Sequence, residues 1–350
     1  MSLRSQPAGR VIRAPEHART PAAQERAPRA WILNLDAENE LDASGHYTPT
    51  AHMHAIVERE RERLLATLLA PGDVLLTESD FAANGTALRT TQGLTGLAWS
   101  PTPRALAQLR AAGADPIAAP SVATLRKVNA RAFAAALREP LQGGSFEKHV
   151  AITLDELLAR LSHAVPHGWL VRRTFGAAGR GRRRIAAGRP SAAELAWIVA
   201  SLRRGPMVLE PWVEVTREYT RSAWVHTNGE LTISPPCFQS TNAHGAWTLT
   251  ERAESGAVSR EDDIALEHAV AVAGEALAKA GYFGPFGIDA YRHRALDGST
   301  RTLLNPLSEI NARFTMDWTT AMASLPQRGE ALARLDDLLR RSRIESPRAR

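Results

Sequence analysis

Cysteine is almost missing from this sequence: Cys237 is the only one in 350 residues. That excludes an internal disulfide and any zinc site built from several thiolates. Long apolar runs are missing too. No stretch reaches the roughly 18–20 uninterrupted apolar residues that span a bilayer, and the N-terminus lacks the apolar core of a secretory signal. The expectation is a protein of the reducing cytoplasm with no membrane partner. With 44% hydrophobic and 23% charged residues, the chain can bury a large core, and its length fits one to three compact units.

The net charge is +6, and its location decides what it means. Residues 1–30 carry six Arg against Glu16 and Glu25, and residues 341–350 carry four Arg against Glu345. By subtraction the body between them is left at about −1. Sequence-independent phosphate binding needs a concentrated basic face on the folded part, so nucleic acid is not the expected partner. Residues 1–30 have no apolar period and are expected to form a disordered arm, with 341–350 as a basic tail.

Between the tails the chain divides in two. The apolar run Trp31-Ile32-Leu33-Asn34-Leu35, a helix over His52 to Leu69 and a buried strand over Asp73 to Thr77 predict a parallel α/β unit over residues 31–120. A helix from Pro103 to Ala112 stops at Gly113, and another runs from Val122 to Leu137. Residues 121–340 have a different character. Thr153-Leu154-Asp155-Glu156 and Ser191-Ala192-Ala193-Glu194 are capping boxes, each opening a helix. Strands follow at Trp169 to Arg173, Arg184 to Ala187, Met207 to Trp212, Glu218 to His226, Leu231 to Ser234 and Trp247 to Thr250. A helix over Asp262 to Ala280 is closed by Gly281 and precedes strands at Gly287 to His293 and Arg301 to Leu304.

Three segments carry the chemistry. In the first, the loop Gly176-Ala177-Ala178-Gly179-Arg180-Gly181 joins two strands. Glycine lets backbone N–H groups approach phosphate closely, although the same loop would serve as an ordinary hairpin turn. It has neither the spacing of a P-loop nor that of a dinucleotide fingerprint. In the second, Glu210-Pro211-Trp212-Val213 ends a strand in a link, and Arg217-Glu218-Tyr219-Thr220 follows. Backbone of the link can meet an adenine edge and a later carboxylate the ribose hydroxyls. The alternative is that Glu210 and Glu218 are exposed strand-end residues. In the third, Glu309, Asn311 and Arg313 lie two apart and, as strand residues, share one face. Asp289 on a neighbouring strand completes an oxygen-rich site suited to Mg²⁺ or Mn²⁺. A solvent-facing strand edge would show no such order of residue types.

Taken together, these segments resemble the ATP-grasp superfamily over about residues 121–325, with residues 31–120 in the place of its preceding domain. The most specific likeness is Glu309-Ile310-Asn311-Ala312-Arg313. The resemblance implies an α/β (α+β) ATP-grasp fold with an N-terminal parallel pre-ATP-grasp domain, a nucleotide-binding lobe over about 165–215 and a metal-binding lobe over about 216–325. It implies that Asp289, Glu309 and Asn311 hold Mg²⁺, that Glu210 and Val213 frame adenine, and that Glu218 takes the ribose. Gly176, Gly179, Arg180 and Gly181 would cover the phosphates, and Arg313 would stabilise the transferring group. Where such proteins usually carry two phosphate-binding Lys, this chain has Arg131 and Arg172, which keep the charge but not the geometry. The implied reaction is an ATP-dependent ligation of a small-molecule or peptide carboxylate to an amine. A phosphotransferase and a catalytically silent ATP-binding protein are the alternatives.

Some residues are given no role. His46, His52 and His54 diverge on a helix and are read as surface histidines, and Cys237 as a small packing residue. The acidic run Asp36, Glu38, Glu40 and Asp42 is read as a solvated loop, with an amine-recognition loop as the alternative.

Overall fold

A computed structural model of the chain describes residues 11–13, 27–43, 45–70, 72–77, 80–81, 91–142, 150–176, 179–242, 247–322 and 328–342. Most of the expected N-terminal arm, residues 343–350 of the tail, and Ala177 and Ala178 of the glycine loop lie outside these.

The first elements are strands β1 (Val11–Arg13) and β2 (Arg29–Ile32), helices α1 (Ala37–Asp42) and α2 (Ala51–Leu68), strands β3 (Val74–Leu76) and β4 (Thr95–Ala98), helix α3 (Pro103–Ala111) and strand β5 (Asp115–Pro116). Strands β3-β2-β4-β5 form a four-stranded sheet, parallel throughout, as the strand–helix–strand pattern predicted. β1 lies elsewhere, parallel to residues 231–233. The segment read as a disordered arm therefore contributes an edge strand, and its last two residues, Arg29 and Ala30, open β2.

Next come helices α4 (Val122–Asn129) and α5 (Arg131–Gln142). One helix was expected here. Ala130 is extended instead, with φ −69° and ψ 129°, and two contacts fix the break. Asn129 accepts from Ala312 N at 2.9 Å, and Arg131 N donates to Thr174 O at 3.0 Å. Tertiary partners override a helical period that runs on unbroken.

Strand β6 (Val150–Ala151), helix α6 (Leu154–Leu161), strands β7 (Trp169–Arg172) and β8 (Arg182–Ile185), helix α7 (Ala192–Leu202) and strand β9 (Met207–Pro211) make a second unit. Its sheet, β6-β9-β7-β8, is antiparallel. Both predicted capping boxes are formed, at Thr153 with Glu156 and at Ser191 with Glu194. This lobe has a core of its own, built on Leu157, Leu161, Val171, Ile198 and Leu209.

The remaining elements are strands β10 (Val215–Val225), β11 (Leu231–Ile233), β12 (Cys237–Thr241) and β13 (Trp247–Arg252), helix α8 (Arg260–Lys279), strands β14 (Gly284–Arg294) and β15 (Thr302–Asn311), and helices α9 (Trp318–Met322) and α10 (Arg328–Ser342). β10 is the spine of this sheet, pairing antiparallel with β11, β12 and β14, and β14 pairs in turn with β15. Helix α8 begins at the Ser259 cap with Glu261, Asp262 and Asp263 in its first turn and Lys279 in its last, complementing its dipole. An aromatic box joins this sheet to the parallel one. Phe314 sits among Trp31, Trp99, Trp224 and Trp318, with ring centroids 5.2–6.5 Å apart.

Candidate active site

The register of β14 and β15 places Asp289 opposite Glu309 and Gly287 opposite Asn311. Cross-strand neighbours share a face, so the predicted oxygen ligands come together, and Asn311 Nδ2 donates to Asp289 Oδ2 at 3.1 Å. The register then shifts, and Tyr291 faces Asn305. Residues 306–308 form a bulge, which re-aims the strand beside the site. Pro306 has no N–H to lose. The freed carbonyls of Leu307 and Ser308 accept from Arg138 of α5 at 2.6 and 2.8 Å.

Asp317, in the turn just before α9, is the further carboxylate of this wall. It is buried and accepts from Thr220 at 3.0 Å and Ser222 at 2.8 Å. Burial, with Glu309 and Asp317 beside it, pushes Asp289 up to about 8. Among the described residues neither Asp289 nor Asp317 forms an ion pair; Arg313 is the cation that acts on Asp289, and it does not offset the crowding.

Strand β15 ends at Asn311, so Arg313 does not owe its place to strand alternation. The chain turns, and Arg313 reaches back through Nη2 to Asn311 Oδ1 at 3.0 Å. Its Nε donates to Glu38 Oε1 at 2.5 Å, and the guanidinium lies over Trp99. Glu38 belongs to the acidic run, and that reading is corrected. The run forms α1 with Asp36 as its N-terminal neighbour, and each carboxylate meets an arginine: Asp36 and Glu40 meet Arg104, Glu38 meets Arg313, and Asp42 meets Arg204. The alternation of acid and neutral residues looked solvated because its three arginine partners come from distant segments.

The facing wall is basic. Arg172 of β7 donates to Glu210 at 2.6 Å and stands 3.6 Å from Glu309. Arg131, at the start of α5, stands 3.4 Å from Glu309 and donates to the carbonyls of Arg173 at 3.0 Å and Gly176 at 2.6 Å. Arg138 is a second partner of Glu210. Alternating charges thus run Arg131, Glu309, Arg172, Glu210, Arg138, three cations to two carboxylates. Glu210 is enclosed, with its carboxylate taken up by Arg138 and Arg172. Arg138 was missed in the sequence, although its spacing of seven from Arg131 puts both on one helix face. Nothing local marked Asp317.

Arg131 also grips the glycine loop. A Cβ at Gly176 would meet Arg180 O at 2.4 Å and Arg131 Nη1 at 3.0 Å. Gly179 and Gly181 adopt φ 75° and 72°, a region that favours glycine. Arg180 crosses to Met53 of α2 at 3.5 Å. Two cavities of about 440 Å³ each meet at Arg172, Asp289 and Glu309. One extends past Glu210 and Val213 to Glu218, whose carboxylate accepts from Thr241 and is raised by burial. The other includes Gly176, Gly179, Arg180, Asn311 and Arg313 and reaches Met53 and Ile56 of the N-terminal unit. Gly181 lies one residue outside this lining. The cleft thus brings together every other residue assigned to the site.

The described residues hold no group of three or more His, Cys, Asp or Glu side chains at metal-binding spacing. Two carboxylates and an amide remain, which fits Mg²⁺ bound chiefly through phosphates and water. The crowding that raises the pKa of Asp289 is what an added cation would relieve. Buried Cys237, its thiol pushed up to about 12 by burial, is a packing residue as expected.

No protein-family profile and no curated protein matches the sequence. Solved structures do. Biotin carboxylase from Campylobacter jejuni, in a complex with β,γ-ATP, is similar over 92% of this chain and 72% of its own, with 11% identity and a TM-score of 0.52. N5-carboxyaminoimidazole ribonucleotide synthetase from Thermus thermophilus is similar over 91% and 79%, at 18% identity and a TM-score of 0.49. At such identities the fold is what is shared. The chain has the ATP-grasp fold with an N-terminal parallel sheet, as the sequence resemblance implied. Among the described residues no helix is long and apolar enough to cross a membrane.

Proposed function

We propose that this protein binds Mg·ATP in the cleft and uses it to activate a carboxylate as an acyl phosphate, which an amine then converts to an amide. The observation that carries the reading is the cross-strand pair Asp289–Glu309, with Asn311, facing Arg131 and Arg172 across one continuous cleft. That arrangement has an excess cation on one wall and excess anion on the other, which suits a metal-bound polyphosphate lying between them. When bound, Mg²⁺ would neutralise phosphate charge during transfer.

The chain's own groups have separate tasks. Arg172 and Arg131 hold Glu309 toward the metal position, and Glu218 offers a carboxylate to the ribose. The link after Glu210 offers backbone groups to the base. Arg313 lies beside Asn311, where a guanidinium stabilises charge on the transferring phosphoryl group and on the tetrahedral species formed by the amine. The loop 176–181 covers the phosphates and keeps water from the acyl phosphate.

A second reading, nucleotide binding without turnover, is favoured by one observation. Arg131 and Arg172 already bond Gly176 O and Glu210, leaving fewer donors for phosphate. Two measurements separate the readings. Mg·ATP should raise the melting temperature under both, because a ligand of the folded state stabilises it. Release of ADP that depends on an added acid and amine, with the amide detected by mass spectrometry, occurs only under the first. Absence of a thermal shift at millimolar Mg·ATP overturns both.

A further inference from the structure

The near-neutral charge of the body is an average over unlike parts. Between residues 160 and 206, which hold β7, β8 and α7, there are ten Arg against one acidic residue, Glu194. The remainder of the body is correspondingly acidic. Strand alternation distributes this charge on two faces. Arg172 and Arg182 are cross-strand partners that line the cleft. Their successors, Arg173 and Arg183, point the other way and cover Trp197 of α7, with guanidinium carbons 5.3 and 5.0 Å from the ring centroid. Arg183, Arg184, Arg189, Arg203 and Arg204 are exposed. Arg204 meets Asp42, but among the described residues no carboxylate forms an ion pair with Arg183, Arg189 or Arg203.

We propose that the outer face of β7, β8 and α7 is a docking surface for an acidic polypeptide, which brings to the cleft the carboxylate that is activated. The inference rests on the carboxylate-activating reading above and names its substrate class. Two considerations select a polypeptide over a nucleic acid. The proposed reaction consumes a carboxylate, which nucleic acids lack. Trp197 carries guanidinium groups against its ring and offers no open platform for base stacking. Arg180 and Arg182 line the cleft together with Arg313, so cationic side chains stand on both faces of the lobe and favour passage of an acidic chain from the outer face toward Arg313. Crowding supports the same picture: burial lowers Arg173, and Arg204 and Arg183 beside it lower it further.

The test measures fluorescence anisotropy of a labelled decaglutamate peptide with the full chain, without nucleotide. A decauridylate of equal length is run beside it. Decaglutamate should bind, tighter than decauridylate, and weaken as salt rises. The double variant Arg183→Gln with Arg203→Gln should bind the peptide at least about tenfold more weakly, while Arg183→Lys with Arg203→Lys retains most of the affinity. Both variants keep the basic arms and all cleft residues, so their Mg·ATP thermal shift should match the parent and report that they fold. Absent peptide binding, equal or tighter binding of decauridylate, or undiminished binding by the Gln variant overturns the docking surface. A missing thermal shift with intact peptide binding overturns the nucleotide reading and, with it, the substrate assignment.

Discussion

The two walls of the cleft carry opposite charge and are completed in different ways. The basic wall is finished by the chain itself, because Arg131, Arg138 and Arg172 find backbone carbonyls, Glu210 and Glu309. The acidic wall is not. Asp289 and Asp317 have hydroxyl and amide donors but, among the described residues, no ion pair. Folding therefore completes the basic wall in advance and leaves the acidic wall without a paired cation. The first behaves as structure and the second as a site.

That contrast breaks if damage to the basic wall is cheap. Glu210→Gln leaves Arg138 and Arg172 buried without their carboxylate. The expected cost is about 3–5 kcal/mol, seen as a large fall in melting temperature with or without nucleotide. An unchanged melt would show that the basic wall is not structural. On the acidic wall the same change should fall on activity. Glu309→Gln should lower ADP release at least about a hundredfold, or roughly 2.7 kcal/mol, while costing the apo-protein only about 1 kcal/mol for its two partly exposed ion pairs. Equal activity in parent and variant would reduce these carboxylates to a polar strand edge.

The acidic wall should also show its incompleteness in pH. Asp289 titrates above its ordinary value, so between about pH 4 and pH 8 the folded protein holds a proton that the unfolded chain has released. Apo stability should then fall as pH rises through that window. Asp289→Asn should flatten the profile and melt above the parent near the upper end, and a variant with the parental slope would assign the dependence to other groups. The smallest effect sharpens the comparison by lying outside it. Glu251, exposed on β13, touches neither wall, and Glu251→Gln should change melting and turnover by no more than about 0.5 kcal/mol.

Much of this was legible in the chain, and the omissions share a cause. The capping boxes, Gly281 closing α8 and the alternation of Glu309 and Asn311 are local rules, and each held. The order of residue types at 309–313 pointed to the acidic wall of the cleft, although Arg313 reaches it by a turn after the strand. What stayed hidden depends on partners far away in sequence. The break at Ala130 needs Thr174 and Ala312, and the burial of α1 needs arginines from residues 104, 204 and 313. The bulge at 306–308 needs Arg138. Net charge misled for a related reason, since summing the body cancelled a basic lobe against an acidic remainder.

The aromatic box around Phe314 has a mechanical consequence. It locks the parallel sheet and the β10–β15 sheet together through Trp31, Trp99, Trp224 and Trp318, while the β6–β9 lobe keeps a separate core. The β6–β9 lobe is thus joined to the rest through polar contacts, Arg138 to Glu210 and Arg172 to Glu309, and not through a shared apolar core; any opening of the cleft would have to break those pairs. Arg313 lies beside Phe314, and the glycine loop belongs to the lobe. Of the eight tryptophans four form the box, Trp169, Trp197 and Trp212 belong to the lobe or its exit, and Trp247 lines the cleft, so emission from the box should change least when the cleft is filled.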